Sequence, residues 1–184
     1  PYIRQESIKD LKPYFRGKYK TFDKFADIYV YFYEKSLNLL KKDGYLSFIS
    51  SNKFSKAKYG KGLRQILSTQ TEVYEMVDFG ELPVFEDAAT FPMIVISKHC
   101  KPRSETFEYC QIESLDFASL RARIELDGID LPRSSIANED WHIGSPRNIV
   151  IIERLKDRYQ PLKEVIDGKI KYGIKTGLNE AYVI

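Results

Sequence analysis

Histidine is scarce in this chain. Only His99 and His142 occur among 184 residues, and neither has a Cys, Asp or Glu at ligand spacing. A solvated or packed imidazole accounts for each, so metal and triad chemistries are poor leading readings. Cysteine is equally rare. Cys100 and Cys110 have neither metal spacing nor a disulfide framework, and two reduced thiols of a cytosolic protein are expected. No apolar run approaches the ~18 residues of a membrane span. The N-terminus carries no apolar targeting segment. The expectation is a soluble, cytoplasmic chain with no membrane partner. There is no phosphate-binding glycine loop, no nucleophile–base motif, no internal repeat and no low-complexity segment. There is also no initiating methionine; the chain opens on "PYIRQES".

What is present is apolar, aromatic and basic. The apolar fraction is 43% and charged residues are 30%, enough for a sizeable core. The length suggests one domain, or one and part of a second. The net charge of +3 permits contact with a polyanion without demanding it.

Residues 1–20 read as an irregular basic loop. "FDKFADIYVYFYEKSLNLLKKDG" reads as one helix. At 100° per residue, Phe25, Ile28, Tyr29, Phe32, Leu39 and Leu40 share one face. Lys24, Asp27, Glu34, Lys35, Asn38, Lys41 and Lys42 lie opposite, and Gly44 is the expected stop. "YLSFIS" is a short apolar run, expected as a buried strand, and "SNKFSKAKYGKG" a basic loop. "LRQILSTQ" is expected as a helix with Leu63, Ile66 and Leu67 inward. "EVYEMVDFG", "FPMIVISKH" and "TFEYCQI" read as further strands. Helix–strand alternation suggests a parallel sheet with crossover helices. The two strands joined by "ELPVFEDAAT" without a helix suggest an antiparallel pair at one sheet edge. Residues 114–140 are weakly periodic and read as a linker. "PRNIVIIERLKDRY" reads as a helix with Ile149, Ile152 and Leu155 as its stripe, and "IKYGIKTGLNEAYVI" as two short strand-like pieces.

Two features could carry chemistry. Phe85 follows a strand, in "LPVFED". Ligands of parallel-sheet proteins bind outside the carboxyl ends of strands, although a lone Phe in a loop can equally fold back on the core. Lys53, Lys56, Lys58, Lys61 and Arg64 cluster after "YLSFIS", at the same rim. They form either a solvated face or a phosphate-contacting one.

The order of these segments resembles the later part of an N6-adenine DNA methyltransferase of the TaqI-like kind, including fused type II restriction-modification enzymes. Pro1-Tyr2 resembles the last half of that family's Asn-Pro-Pro-Tyr motif. "FADIYVYFYEKSLNLLKKDGYLSFISSNKF" resembles the helix and strand that follow it. "AKYGKGLRQIL" and "VDFGELPVFEDAATFPMIVISK" resemble the next helix and the strand–loop–strand. "WHIGSPRNIVIIERLKDR" and "KYGIKTGLNEAYVI" resemble the start of a TaqI-like target-recognition domain.

The resemblance implies an α/β fold: the C-terminal part of a Rossmann-like methyltransferase sheet, followed by the beginning of a recognition domain. It divides the chain into a late catalytic half at 1–113, a linker at 114–140 and a recognition-domain start at 141–184. It implies methyl transfer from S-adenosylmethionine to N6 of a flipped-out adenine in double-stranded DNA. Pro1 and Tyr2 then belong to the catalytic motif, with Tyr2 and Phe85 stacking on the base. Phe32 matches a position lining the pocket for the cofactor's adenine; ordinary core packing is the alternative. Lys156, Arg158, Lys169, Lys171 and Lys175 make the C-terminal half a candidate phosphate-facing surface of its own. The groups that hold the adenine amine and most of the cofactor site would precede Pro1, so an inactive fragment of a larger enzyme is expected. Its uncovered sheet edge suggests self-association. Two other classes stay open: an Asn-Pro-Pro-Tyr methyltransferase acting on a protein glutamine, and a noncatalytic DNA-binding module.

Overall fold

The structure is a computed structural model, and it describes residues 3, 5–86, 90–137, 141–144, 151, 154–155 and 157–166. The chain divides into two compact units, Pro1–Ser145 and Pro146–Ile184.

The first described segment is helical, where a loop was expected. A 3-10 turn, Gln5–Leu11, runs into α1, Lys12–Lys18. Pro13 lies in the first turn of α1, where its missing N–H costs no helical bond. Phe15 is buried and stacks on Tyr31 with ring centroids 4.4 Å apart. Ile8 is also buried, and two buried apolar residues this far apart give no apolar period to announce the segment.

Helix α2 spans Ile28–Leu39, shorter than expected. It ends well before Gly44, and Asp43, with φ of 66°, takes the left-handed conformation there. The buried face is also rotated from the expected one. Phe25, Phe32 and Leu39 are exposed, while Tyr29, Val30, Tyr33 and Leu37 are buried. Glu34, placed on the polar face by periodicity, is only 5% exposed. Its carboxylate accepts the backbone N–H groups of Lys20 (3.0 Å) and Thr21 (2.8 Å) and the Thr21 hydroxyl (2.7 Å). A buried carboxylate is tolerated when its lone pairs are filled in this way.

Among the described residues the sheet has five strands: β1 Tyr45–Ser51, β2 Glu72–Asp78, β3 Pro92–Lys98, β4 Thr106–Gln111 and β5 Ile129–Pro132. Their order is β1-β3-β2-β4-β5. β3 runs antiparallel to both β1 and β2, and β2 runs parallel to β4. The antiparallel β2–β3 pair therefore lies inside the sheet and not at its edge. β3 inserts between two strands that precede it in sequence. β1 is an edge strand and only partly buried: Leu46 is inside, but Tyr45 is 63% exposed.

Helix α3, Lys61–Gln70, buries Leu63, Ile66 and Leu67 as expected. Helix α4, Leu120–Asp127, begins at Ser119, whose hydroxyl accepts the Ala122 N–H. Ile124 packs it on Val77, Phe79, Cys110 and Ile112. β5 then pairs antiparallel with β4. Most of 114–140 is thus integral to the first unit and not a linker. In the second unit Ile151, Arg154, Leu155, Asp157 and Arg158 are helical, and Leu162–Val165 forms the short α5. Leu155 is 51% exposed; Ile149 and Ile152 lie outside the described residues.

The expected basic loop after β1 is two 3-10 turns, Asn52–Ser55 and Lys58–Gly60. Gly60 is required by close approach. A Cβ there would lie 2.0 Å from the Phe54 carbonyl oxygen and 2.7 Å from its carbonyl carbon. Both are backbone atoms, which cannot swing aside. Gly60→Ala is expected to destabilise the protein by at least about 1–3 kcal/mol, the scale of core overpacking, in a denaturant-unfolding measurement. Gly17→Ala, inside α1 with nothing within 4 Å, is the control and is expected to be neutral or to stabilise by up to about 1 kcal/mol.

Candidate functional site

β1 and β2 are each antiparallel to β3, so their carboxyl ends share one rim. Ser51 and Asp78 are the last residues of those strands, and both ends face the start of β3 at Pro92 and Met93. The basic turns leave this rim from β1, and the segment carrying Phe85 leaves it from β2.

That segment is held at both ends. The Asn52 backbone N–H donates to the Phe91 carbonyl (2.7 Å), and the Phe79 N–H donates to the Pro92 carbonyl (2.9 Å). The Asn52 side-chain amide donates to Asp78 Oδ1 (2.9 Å). The same oxygen accepts the Gly80 N–H (2.9 Å), and Gly80 has φ of +54°, a turn conformation that suits glycine. Tyr109 donates its hydroxyl to Asp78 Oδ2 (3.5 Å). Burial pushes the Tyr109 phenol above its ordinary value, and the Asp78 charge adds to this; the phenol therefore stays protonated and remains a donor. Phe79 is buried in the α4 cluster, and Leu82 and Val84 pack against that cluster. Phe85, half-buried, follows immediately.

The exposed lysines Lys53, Lys56, Lys58 and Lys61 lie on the turns beside this rim. Lys53 Nζ sits 5.3 Å from the centre of the Phe91 ring. Arg64 does not join them. It is 4% exposed, and its guanidinium donates to the carbonyls of Phe54 and Ala57 (2.8 Å to Ala57). Arg64 shapes the basic turns from within and cannot be a phosphate contact. Pro1, Tyr2, Lys171 and Lys175 lie outside the described residues.

Phe32 is 46% exposed, so ordinary core packing does not describe it. It lines a cavity of about 340 Å³ with Tyr29, Ser47, Phe48, Ile49 and Ser50, beside edge strand β1. Tyr29 links this region to the basic turns through a 2.9 Å hydroxyl contact with Tyr59. Burial pushes both phenols above their ordinary values. A largely apolar concavity with aromatic rings in its wall and the exposed Ser47 beside it fits a planar heterocycle; the Ser50 hydroxyl is already taken by Tyr33, 3.1 Å away.

Residues 1–85 match the Eco57I restriction-modification methylase family. The whole chain aligns at 28% identity over 207 residues with the type II methyltransferase M.BstVI of Geobacillus stearothermophilus. It aligns at 28% identity over 198 residues with the type II methyltransferase M.XhoI of Xanthomonas vasicola. In each case the chain spans 36% of the relative's length. In fold it resembles the type IIG restriction endonuclease BpuSI, with a TM-score of 0.56 and 12% identity, covering 84% of this chain and 21% of that one. The resemblance to type II restriction-modification methyltransferases is borne out by these matches, and so is the methyltransferase-like α/β class. Among the described residues no helix is long and apolar enough to cross a membrane.

Asn52, Asp78 and Tyr109 were not legible as site residues. The one available signal was positional: Asn52 and Asp78 are polar residues at the carboxyl ends of apolar strand runs.

Proposed function

We propose that this chain forms the late sheet and target-base wall of a DNA methyltransferase that modifies N6 of a flipped-out adenine. The observation that carries the reading is the rim at the ends of β1 and β2. There an aromatic side chain, Phe85, sits on a segment fixed at both stems, with exposed lysines on the adjoining turns.

The roles follow from chemistry. A base leaving the duplex loses its stacking partners, and aromatic faces replace them at about 1–3 kcal/mol per base. Phe85 supplies one face, and Tyr2, matching the tyrosine of Asn-Pro-Pro-Tyr, the other. Lys53, Lys56, Lys58 and Lys61 neutralise phosphates and set the protein's register on the duplex. Lys171 and Lys175, in the recognition part, make phosphate contacts of their own. S-adenosylmethionine, when bound, supplies an electrophilic methyl group. The cavity at Phe32 would hold the cofactor's adenine, with Phe32 and Phe48 in its wall and Ser47 at its edge.

The test uses the full protein that contains this chain. DNA methylated by it is digested to nucleosides and analysed by mass spectrometry. N6-methyladenine is the expected product. N4-methylcytosine, or methyl incorporated into a protein glutamine and none into DNA, overturns the reading.

A further inference from the structure

We infer that Asn52 is a positioning residue for the proposed base-stacking segment, locking both of its stems through one side chain and its own backbone. The inference rests on the reading of Phe85 given above. It concerns a residue that touches neither base nor cofactor in that reading.

The geometry is particular to this position. Asn52 is the first residue after β1. Its backbone N–H holds the returning stem at Phe91, 2.7 Å away. Its side-chain amide holds the outgoing stem at Asp78, 2.9 Å away. Asp78 Oδ1 passes the restraint on to the Gly80 N–H, also at 2.9 Å, where the chain turns with φ of +54°. From Gly80 the path is short: Leu82 donates to the Phe79 carbonyl and Val84 to that of Leu82, and Phe85 is next. The Asn52–Asp78 bond has a carboxyl oxygen as its acceptor and is partly buried, where a polar group left without its partner is costly. β3 separates β1 from β2 in the sheet. The Asn52–Asp78 bond therefore bridges two strands that share no ladder hydrogen bonds.

Catalysis is sensitive to small displacements of positioning groups. Loosening the stem lets Phe85 leave the base without altering how the lysines meet phosphate. The expected signature is a loss in the chemical step without a loss in DNA affinity. Among candidate changes, Asp78→Asn is the conservative one. Its side-chain oxygen still accepts from Asn52 and Gly80, and its amide faces Tyr109, whose hydroxyl can accept in place of donating.

The experiment compares Asn52→Ala, Asn52→Ser, Asp78→Asn and Phe85→Ala in the full protein. It measures single-turnover methylation, DNA affinity and the fluorescence of 2-aminopurine placed at the target adenine. Asn52→Ala and Asn52→Ser, which leave the backbone bond to Phe91 in place, are expected to slow methylation by about 10–100-fold. Both are expected to lower the 2-aminopurine signal while DNA affinity changes less than about twofold, as uniform phosphate binding is untouched. Asp78→Asn, which keeps an acceptor oxygen for Asn52 and Gly80 but a weaker one, is expected to fall between the parent protein and Asn52→Ala in methylation and fluorescence. Thermal melting of each variant separates loss of fold from loss of positioning, and Asn52→Ser retains a polar side chain should alanine unfold the turn. Normal methylation and fluorescence in both Asn52 variants, with both lowered in Phe85→Ala, would overturn this inference alone. Normal values in Phe85→Ala as well would overturn the base-stacking reading beneath it.

Discussion

Glu72→Ala destabilises the protein by about 3–5 kcal/mol, the scale for breaking a buried ion pair by removing one partner. Glu72 is the first residue of β2 and is 3% exposed. Its carboxylate accepts the backbone N–H groups of Arg103 and Ser104, the latter at 3.2 Å, and lies 3.4 Å from the Arg133 guanidinium. Arg133 also donates to the carbonyls of Thr71 (2.8 Å) and Val73 (3.4 Å). Burial pulls Arg133 below its ordinary value, and the Glu72 charge opposes that fall. One carboxylate thus joins the β3–β4 connection, the turn after β5 and the start of β2. Removing it leaves a half-buried guanidinium and two N–H groups without their acceptor. Glu72→Gln keeps the shape and one acceptor oxygen, so it should cost less. Denaturant midpoints for the two variants check this. A Glu72→Ala loss below about 1 kcal/mol would mean that Arg133 and the backbone donors are rescued by water, as in an exposed pair.

That cluster also explains why the region after β4 was illegible. The linker reading of 114–140 rested on weak periodicity, and α4 is eight residues long with Ile124 as its buried residue. β5 is four residues long. Elements this short are stabilised by partners far away in sequence: Val77 and Cys110 beneath α4, Glu72 behind Arg133. Local pattern carries none of that. β2, β3 and β4, by contrast, are runs of β-formers bounded by turn residues, and these were legible. Their order was not, because β3 inserts between β1 and β2 and nothing local marks which neighbour a strand takes.

Helix α2 shows a different limit. "IYVYFYEK" is apolar or aromatic nearly all round, so the 3.6-residue period has no clear minimum and the chosen face was wrong. Tyr31 is buried because Phe15 arrives from α1. Phe32 is half-exposed because it borders the cavity beside β1. Arg64 misled for the opposite reason. It sits in a run of basic residues, and its burial follows from carbonyls that the 3-10 turns aim at it. At the candidate site, Phe85 and the lysines could be placed at one rim because each follows an expected strand, and by resemblance. The Asn52–Asp78–Gly80 restraint could not, because it depends on the separation of two strands that are not neighbours.

Phe85→Ala in the full protein is expected to slow methylation of a duplex target by about 5–150-fold, the rate equivalent of one lost aromatic–base stack. Phe79 anchors the segment in the core cluster, Leu82 and Val84 pack on it, and the stems close through Asn52 and Pro92. Phe85 is itself half-buried, so the melting of each variant is measured beside its activity. Phe85→Trp keeps an aromatic face and should retain most of the activity. The sharper check varies the substrate. A target adenine set opposite a mismatch has already lost part of its pairing and stacking, so flipping it costs less. If Phe85 holds the extruded base, the variant's deficit shrinks on the mismatched duplex, because less of the reaction depends on capturing a costly state. If Phe85 only supports the rim, the deficit is the same on both duplexes. In that case the stacking role fails even though activity is lost.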